Sequence, residues 1–259
     1  MKKIINFISK IIYLFFTGKI EELKIQLYYG IIRPLDKIRV KKIFKSISKE
    51  LLSDQKDYRL IVYKNFEYKY SKFRETFKKH GSNKGGEWKH RKNIIRSFYA
   101  DFYEENIGNK NIKNILEIGI GHSSSSAGSS LRSWKELYPN ANIYGADIEK
   151  KVLFQEERIK TYFTDQLDKK TLKDLKQSLN SKKFDLIVDD GLHTFEANIN
   201  TFEELFPLLE TDGLFFIEDI IFPELKKYYN YFNNKHNFKV VEALNVNETW
   251  GNCMVIIKK

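Results

Sequence analysis

The stretch FDLIVDDGLHTFEAN, Phe184–Asn198, runs four apolar residues in five positions into two adjacent carboxylates, a glycine and a histidine. Carboxylates at the end of a buried strand are costly unless something positive pairs with them. A second apolar run, GLFFIEDI, ends the same way in Glu218 and Asp219. If both runs are parallel strands, Asp190, Glu218 and Asp219 meet at the carboxyl edge of one sheet, where open α/β sheets bind ligands. Several carboxylates converging there repel one another without a cation. Oxygen donors suit Mg²⁺, which keeps water or substrate oxygens in its remaining positions. Zinc is disfavoured by the single cysteine, Cys253, and by the lack of histidine pairs at ligand spacing. His193, three residues past Asp190, could take a proton near neutral pH. The plainer alternatives are a solvated loop histidine and acids that merely cap a loop.

A second group of candidate residues lies in NILEIGIGHSSSSAGSSLRSW, which reads strand, glycine turn, helix. Gly119 and Gly121 allow a tight turn and close backbone approach, and the helix that follows offers free N–H groups to a ligand. Ser124 stands where a dinucleotide fingerprint has its third glycine. Glu117 precedes the first glycine by two, and NIYGADIE ends a second apolar run at Asp147, 26 residues beyond Gly121. An acid at the end of that strand suits a ribose diol, which NAD and S-adenosylmethionine (SAM) both carry. Ser123 to Ser126 sit in no GxSxG elbow and read as a polar turn.

Holding these residues in place requires a sizeable core. With 259 residues, 42% hydrophobic and 15% aromatic, the chain is no disordered segment despite 31% charged residues. From Ile112 onward short apolar runs alternate with amphipathic stretches: KNILEIG, SLRSWKELYP, NIYGADI, TLKDLKQSL, FDLIVDD, NTFEELFPLL and GLFFIED. That alternation predicts an α/β fold, a Rossmann-like, mostly parallel sheet with helices on both faces. FKVVEAL and GNCMVIIKK predict two closing strands, an antiparallel pair at the sheet edge.

Residues 1–110 differ in texture. They carry 26 Lys and Arg against 12 Asp and Glu, a charge of +14, and the remainder carries −3, for +11 overall. That asymmetry fits an anionic partner, and equally a lysine-rich solvated surface. Ile4, Ile8, Ile11 and Phe15 fall at helical spacing, so residues 1–16 predict an amphipathic helix too short to span a bilayer. It could lie on a membrane, pack on a partner subunit or cover its own core. Residues 20–80 read as further helices, HGSNKGGEWKH (His80–His90) as a break, and RKNIIRSFYADFYEEN (Arg91–Asn106) as helix again. The expected division is a basic helical region over 1–110 and a cofactor-binding domain over 111–259.

The order of EIGIG, SLRSWKELYPNANIYGADI, TDQLD, VDDGLH and GLFFIEDI resembles the class I SAM-dependent methyltransferases. Within them it is closest to a subgroup of sugar O-methyltransferases that includes macrolide-sugar, capsule and lipopolysaccharide enzymes and the cephalosporin hydroxylase-like proteins. The resemblance covers about residues 81–220. It implies that Glu117, Gly119 and Gly121 shape a SAM pocket and that Asp147 holds the ribose hydroxyls. Asp165 and Gln166 would lie near the adenine, with Asp189 on the cofactor side. It also implies a divalent cation on Asp190, Glu218 and Asp219, with His193 as general base. Asp165 could instead cap a helix. SNKGGEWKH resembles a substrate-side SDKG…H segment of that subgroup, with Asn83 in place of the aspartate and His90 at its end.

The expected activity is cytoplasmic, Mg²⁺-assisted methyl transfer from SAM to a hydroxyl of a sugar, as a nucleotide sugar or a capsule or lipopolysaccharide precursor. A homo-oligomer is expected, with peripheral membrane contact through residues 1–16 and no nucleic-acid partner. Two other classes compete: a nicotinamide-dependent oxidoreductase and a non-catalytic methyltransferase-like interaction module.

Overall fold

The computed structural model describes residues 2–17, 23, 60–63, 70–90, 93–96, 99–121, 127–220, 224–233, 235–243 and 253–259. The chain forms two compact units, Met1–Asp57 and Tyr58–Lys259. In the first, α1 (Lys2–Phe16) is the expected N-terminal helix, and Ile8, Ile12, Tyr13, Phe15 and Phe16 are exposed on it. Among the described residues no helix is long and apolar enough to cross a membrane.

The second unit begins with β1 (Leu60–Tyr63), α2 (Lys72–Lys79), a hairpin of β2 (Glu87–His90) and β3 (Asn93–Arg96), and α3 (Tyr99–Ile107). Alternation follows through β4 (Asn114–Ile118), α4 (Ser129–Leu137), β5 (Asn142–Asp147), β6 (Gln155–Glu156) and β7 (Ile159–Phe163). It continues with α5 (Lys169–Ser178), β8 (Phe184–Asp189), α6 (Phe195–Leu205) and β9 (Leu209–Ile220). α7 (Leu225–Phe232), β10 (Asn237–Ala243) and β11 (Cys253–Lys258) come last.

The main sheet runs β1-β10-β11-β9-β8-β4-β5-β7-β6. Neighbours from β9 to β7 are parallel, while β11 is antiparallel to both β9 and β10. Strand order reverses at β4, whose partners are β5 on one side and β8 on the other. A reversal of this kind opens a crevice beyond the carboxyl ends of the strands. The glycine turn leaves the end of β4, and the Asp189–Asp190 pair leaves the end of β8. The Rossmann-like, mostly parallel sheet read from the sequence is the observed fold.

Period-two alternation sorts the side chains. Ile115, Leu186, Val188 and Phe216 face a core that includes Phe77 of α2, Tyr103 of α3 and Trp134 of α4. Phe77 and Tyr103 meet the Trp134 ring edge-on at 4.8 and 4.9 Å. On the other face Phe202 of α6 packs against Phe215 and Phe232. Glu117 and Glu218 follow the first register and Asp189 the second, so neighbouring acids serve opposite faces.

Two helical expectations fail in part, for a shared reason; α2 and α3 are helices as expected, and residues 20–22, 24–59 and 64–69 lie outside the described residues. β1 falls within 20–80, read as helical, because LIVY pairs in parallel with β10, from Leu60–Val240 to Tyr63–Ala243. Asn93–Arg96, also read as helix, pairs antiparallel with Glu87–His90, and the helix described in that stretch is Tyr99–Ile107. In each case a strand partner outweighs local periodicity. β10 and β11 are the expected antiparallel pair, with β1 covering the outer edge of β10.

Candidate active site

The turn after β4 is shaped by conformation and by space. Gly119 has φ +87°, and a Cβ on it would collide with the carbonyl oxygen of Asp190. Only glycine brings the two loops this close. Asp147, at the end of β5, accepts the N–H groups of Ile120 and Gly121 on Oδ2, both at 2.9 Å, and that of Glu149 on Oδ1 at 2.8 Å. The acid expected to meet a ribose is thus also the clasp that shapes the turn. Glu117 points inward beneath it: Trp134 Nε1 donates to its Oε2 at 2.6 Å. Burial pushes the Glu117 carboxyl up, and the nearby Lys84 charge partly offsets this. His122 and the serines at 123–126 lie outside the described residues.

Four acids gather below the ends of β4, β8 and β9, and the cation among them is Lys84. Its Nζ lies 2.5 Å from Asp190 Oδ2 and 3.6 Å from Glu117 Oε1, and it donates to Glu218 Oε2. Its side chain is 2% exposed. Burial alone would lower the lysine's pKa, but Asp190, Glu218 and Glu117 together hold it well above the usual range. Lys84 sits in a 3₁₀ turn, Asn83–Gly85, where Ser82 Oγ accepts its N–H. A Cβ on Gly85 would stand 2.6 Å from the backbone nitrogen of Lys78, so glycine lets this turn press onto α2.

Tyr103 donates to the other Glu218 oxygen, Oε1, and Tyr99 donates to Asp219 Oδ1. These tyrosines are one turn apart on α3 and so face the same strand end. Burial pushes Glu218 well above the ordinary carboxylate range, opposed by the Lys84 charge. Asp219 is lifted to about 6 by burial, with His193 holding it back. Both Glu218 oxygens are therefore engaged within the protein. Of the three acids expected to hold a cation, Glu218 is tied to Lys84 and Tyr103, while Asp190 and Asp219 each turn an oxygen toward His193. The donor set that remains close together is Asp190, His193 and Asp219, whose ligand atoms lie within 4.8 Å of one another. His193 Nε2 is 4.0 Å from Asp190 Oδ1 and 3.9 Å from Asp219 Oδ2, and its Nδ1 is buried without a partner. His193 and Asp219 have φ of 59° and 52°, left-handed conformations that non-glycine residues adopt at a cost.

Asp189 belongs to the opposite face. Gln166 Nε2 donates to its Oδ1 at 2.8 Å and to Thr201 Oγ1 at 2.8 Å, while Gln166 Oε1 accepts Leu192 N–H at 2.7 Å. The Gln166 amide thus braces the loop that carries His193. Burial pushes the Asp189 carboxyl up, with Asn198 and Gln166 pulling it back. Asp165 Oδ1 accepts Leu167 N–H at 2.9 Å; the cap of α5 is Asp168, not Asp165. His90 lies in β2, and its side chain is outside the described set.

Residue-by-residue reading missed Lys84, Tyr99 and Tyr103. The tyrosines had a usable signal, their i, i+4 spacing. Lys84 had only its glycine-rich setting.

The methyltransferase domain model matches residues 109–258, more than half of the chain. The chain belongs to this methyltransferase family. Similar proteins include demethylmacrocin O-methyltransferase of Streptomyces fradiae, 41% identical over 108 residues, or 41% of this chain and 27% of that one. Another is 8-demethyl-8-alpha-L-rhamnosyl tetracenomycin-C 2'-O-methyltransferase of Streptomyces olivaceus, 32% identical over 146 residues, or 55% and 36%. The chain spans between about a quarter and about a third of the length of these curated relatives. A solved structure of the MycE methyltransferase of mycinamycin biosynthesis, in complex with Mg and SAH, superposes with TM-score 0.54 at 23% identity. It covers 73% of this chain and 55% of that one, a likeness of fold.

Proposed function

We propose that this methyltransferase domain moves a methyl group from SAM to a hydroxyl of a sugar, carried as a nucleotide sugar or as a capsule or lipopolysaccharide precursor. Asp190 and Asp219 would hold a divalent cation such as Mg²⁺, with His193 as general base. The observation that carries this reading is the contact between the two halves of the site. The glycine turn rests on the carbonyl of Asp190, so a cofactor on that turn and an acceptor at the acid cluster would be neighbours. Two of the similar proteins are by name O-methyltransferases, one of them acting at the 2' position of a rhamnosyl compound.

The residues suit both groups. Gly119 and Gly121 form a turn clasped by Asp147, with Glu117 packed beneath it and Asp165 just past the end of a nearby strand. Asp190 and Asp219 converge as oxygen donors, with His193 Nε2 beside them free to act as a base. SAM would bring an electrophilic methyl group, and a divalent cation would lower the pKa of an acceptor hydroxyl and fix its direction. The chain's own work is to orient the acceptor and to take its proton at His193 Nε2. Orientation can contribute about 7–11 kcal/mol, against about 10²–10⁴-fold for one general base. Asp190→Ala should therefore nearly abolish turnover and leave SAM binding largely intact.

The test is melting temperature and turnover in the full chain. SAM or SAH should raise the melting temperature, as a native-state ligand does. EDTA should reproduce the Asp190→Ala defect, and Mg²⁺ should reverse it. Stabilisation by NAD(H) with none by SAM would sink the cofactor assignment, and full activity in EDTA would sink the metal assignment. For residues 1–16 we propose a contact surface for a membrane or a second copy at a cytoplasmic site of sugar modification.

A further inference from the structure

We infer that Lys84 and Tyr99, which precede the segment matched by the methyltransferase model, are positioning residues of the cation site. Each pins one oxygen of a carboxylate so that its other oxygen faces His193. The inference rests on the proposal that Asp190 and Asp219 hold a divalent cation.

The two carboxylates are divided in the same way. Asp190 gives Oδ2 to Lys84 at 2.5 Å and turns Oδ1 toward His193 Nε2 at 4.0 Å. Asp219 accepts the Tyr99 hydroxyl on Oδ1 and turns Oδ2 toward the same nitrogen at 3.9 Å. The Asp219 N–H also donates to the Tyr99 hydroxyl oxygen at 3.1 Å, which ties backbone and side chain to one ring. A carboxylate with one oxygen held by a buried donor is restrained from swinging and leaves its other oxygen the freer donor. That oxygen is presented in a preferred direction.

The pins are themselves anchored. Lys84 is tied to Glu218, and Tyr103, one turn beyond Tyr99, takes the other Glu218 oxygen. Glu218 thus anchors the floor on which Lys84 rests. Arg74 of α2 is ion-paired with Asp101 of α3, which locks together the two helices bordering Lys84 and Tyr99. Partners of this outer kind orient metal ligands and, when removed, typically cost about 10–100-fold in metal affinity.

The experiment titrates Mn²⁺ into the full chain, following the free-ion electron paramagnetic resonance signal, with SAH affinity by calorimetry as control. Tyr99→Phe and Lys84→Met should each weaken Mn²⁺ binding by about 10–100-fold while SAH affinity stays at the wild-type value. If Lys84→Met strands its carboxylates and fails to fold, the double variant Lys84→Met, Glu218→Gln removes one of them with the cation. Unchanged or tighter Mn²⁺ binding in Tyr99→Phe overturns the role of Tyr99, and the same result in the Lys84 variant overturns that of Lys84. Absence of Mn²⁺ binding in the wild type would remove the cation reading itself, a distinct failure.

Discussion

The indole N–H of Trp134 donates to Glu117 Oε2 at 2.6 Å, tying α4 to the strand that leads into the glycine turn. Glu117 is fully buried and Trp134 packs edge-on against Phe77 and Tyr103. Trp134→Phe keeps most of the ring packing and deletes the donor, leaving a buried carboxylate short of a partner. The expected loss is about 1–3 kcal/mol, read as a lower urea midpoint. Trp134→Ala should cost more, about 3–5 kcal/mol. An unchanged midpoint in Trp134→Phe would mean that the hydrogen bond contributes nothing to stability.

Gly119→Ala tests the shared wall of the two half-sites. The new Cβ meets the Asp190 carbonyl in a left-handed backbone conformation, so strain and collision add. We expect a lower melting temperature together with loss of SAH binding by calorimetry. Asp147→Ala removes the clasp on Ile120 and Gly121 without adding bulk, and should weaken SAH binding while sparing Mn²⁺ binding. Wild-type SAH affinity in both variants would place the cofactor elsewhere.

The left-handed backbone of His193 suggests a cleaner substitution than alanine. Asparagine tolerates φ near 59° and cannot serve as a base near neutral pH. His193→Asn should therefore keep wild-type stability and lose about 10²–10⁴-fold in kcat. Retention of wild-type kcat from pH 6 to 9 would move the base to another residue, with His90 next to be tested.

Deletion of residues 1–16 should change oligomer mass by light scattering, or binding to anionic vesicles, more than it changes SAH affinity. The observation behind this is the exposure of Ile8, Ile12, Tyr13, Phe15 and Phe16 on α1. Identical mass, together with no vesicle binding by the full chain, would leave the helix without an external partner.

Much of the site was legible because its chemistry lies where short apolar runs end. EIGIG, GADIE, VDDGLH and IEDI each carry their acids or glycines in the last residues of a strand or just past it, and parallel pairing brings those ends to one edge. The helical reading fails at Leu60–Tyr63, which finds its partner in β10, 180 residues later. It fails also at Asn93–Arg96, which pairs with β2, while Lys72–Lys79 and residues 99–106 are helical as expected. Strand pairing is a long-range event that local periodicity does not register.

The cation that answers the acid cluster belongs to the second kind. Among 45 lysines and arginines nothing in its own spacing sets Lys84 apart. Its role appears only when a glycine turn pressed on α2 brings its ammonium to Asp190 and Glu218, 106 and 134 positions away. Asp189 and Asp190 make the same point from adjacent positions. The dipeptide marks the end of a strand, but the pleat sends one carboxylate to Gln166 and the other to Lys84. Residue types and their order fix which groups lie near the strand ends. Packing of the helices on each face decides which of those groups are neutralised inside and which are left to meet a ligand, since a buried charge takes the nearest opposite charge whatever its distance along the chain.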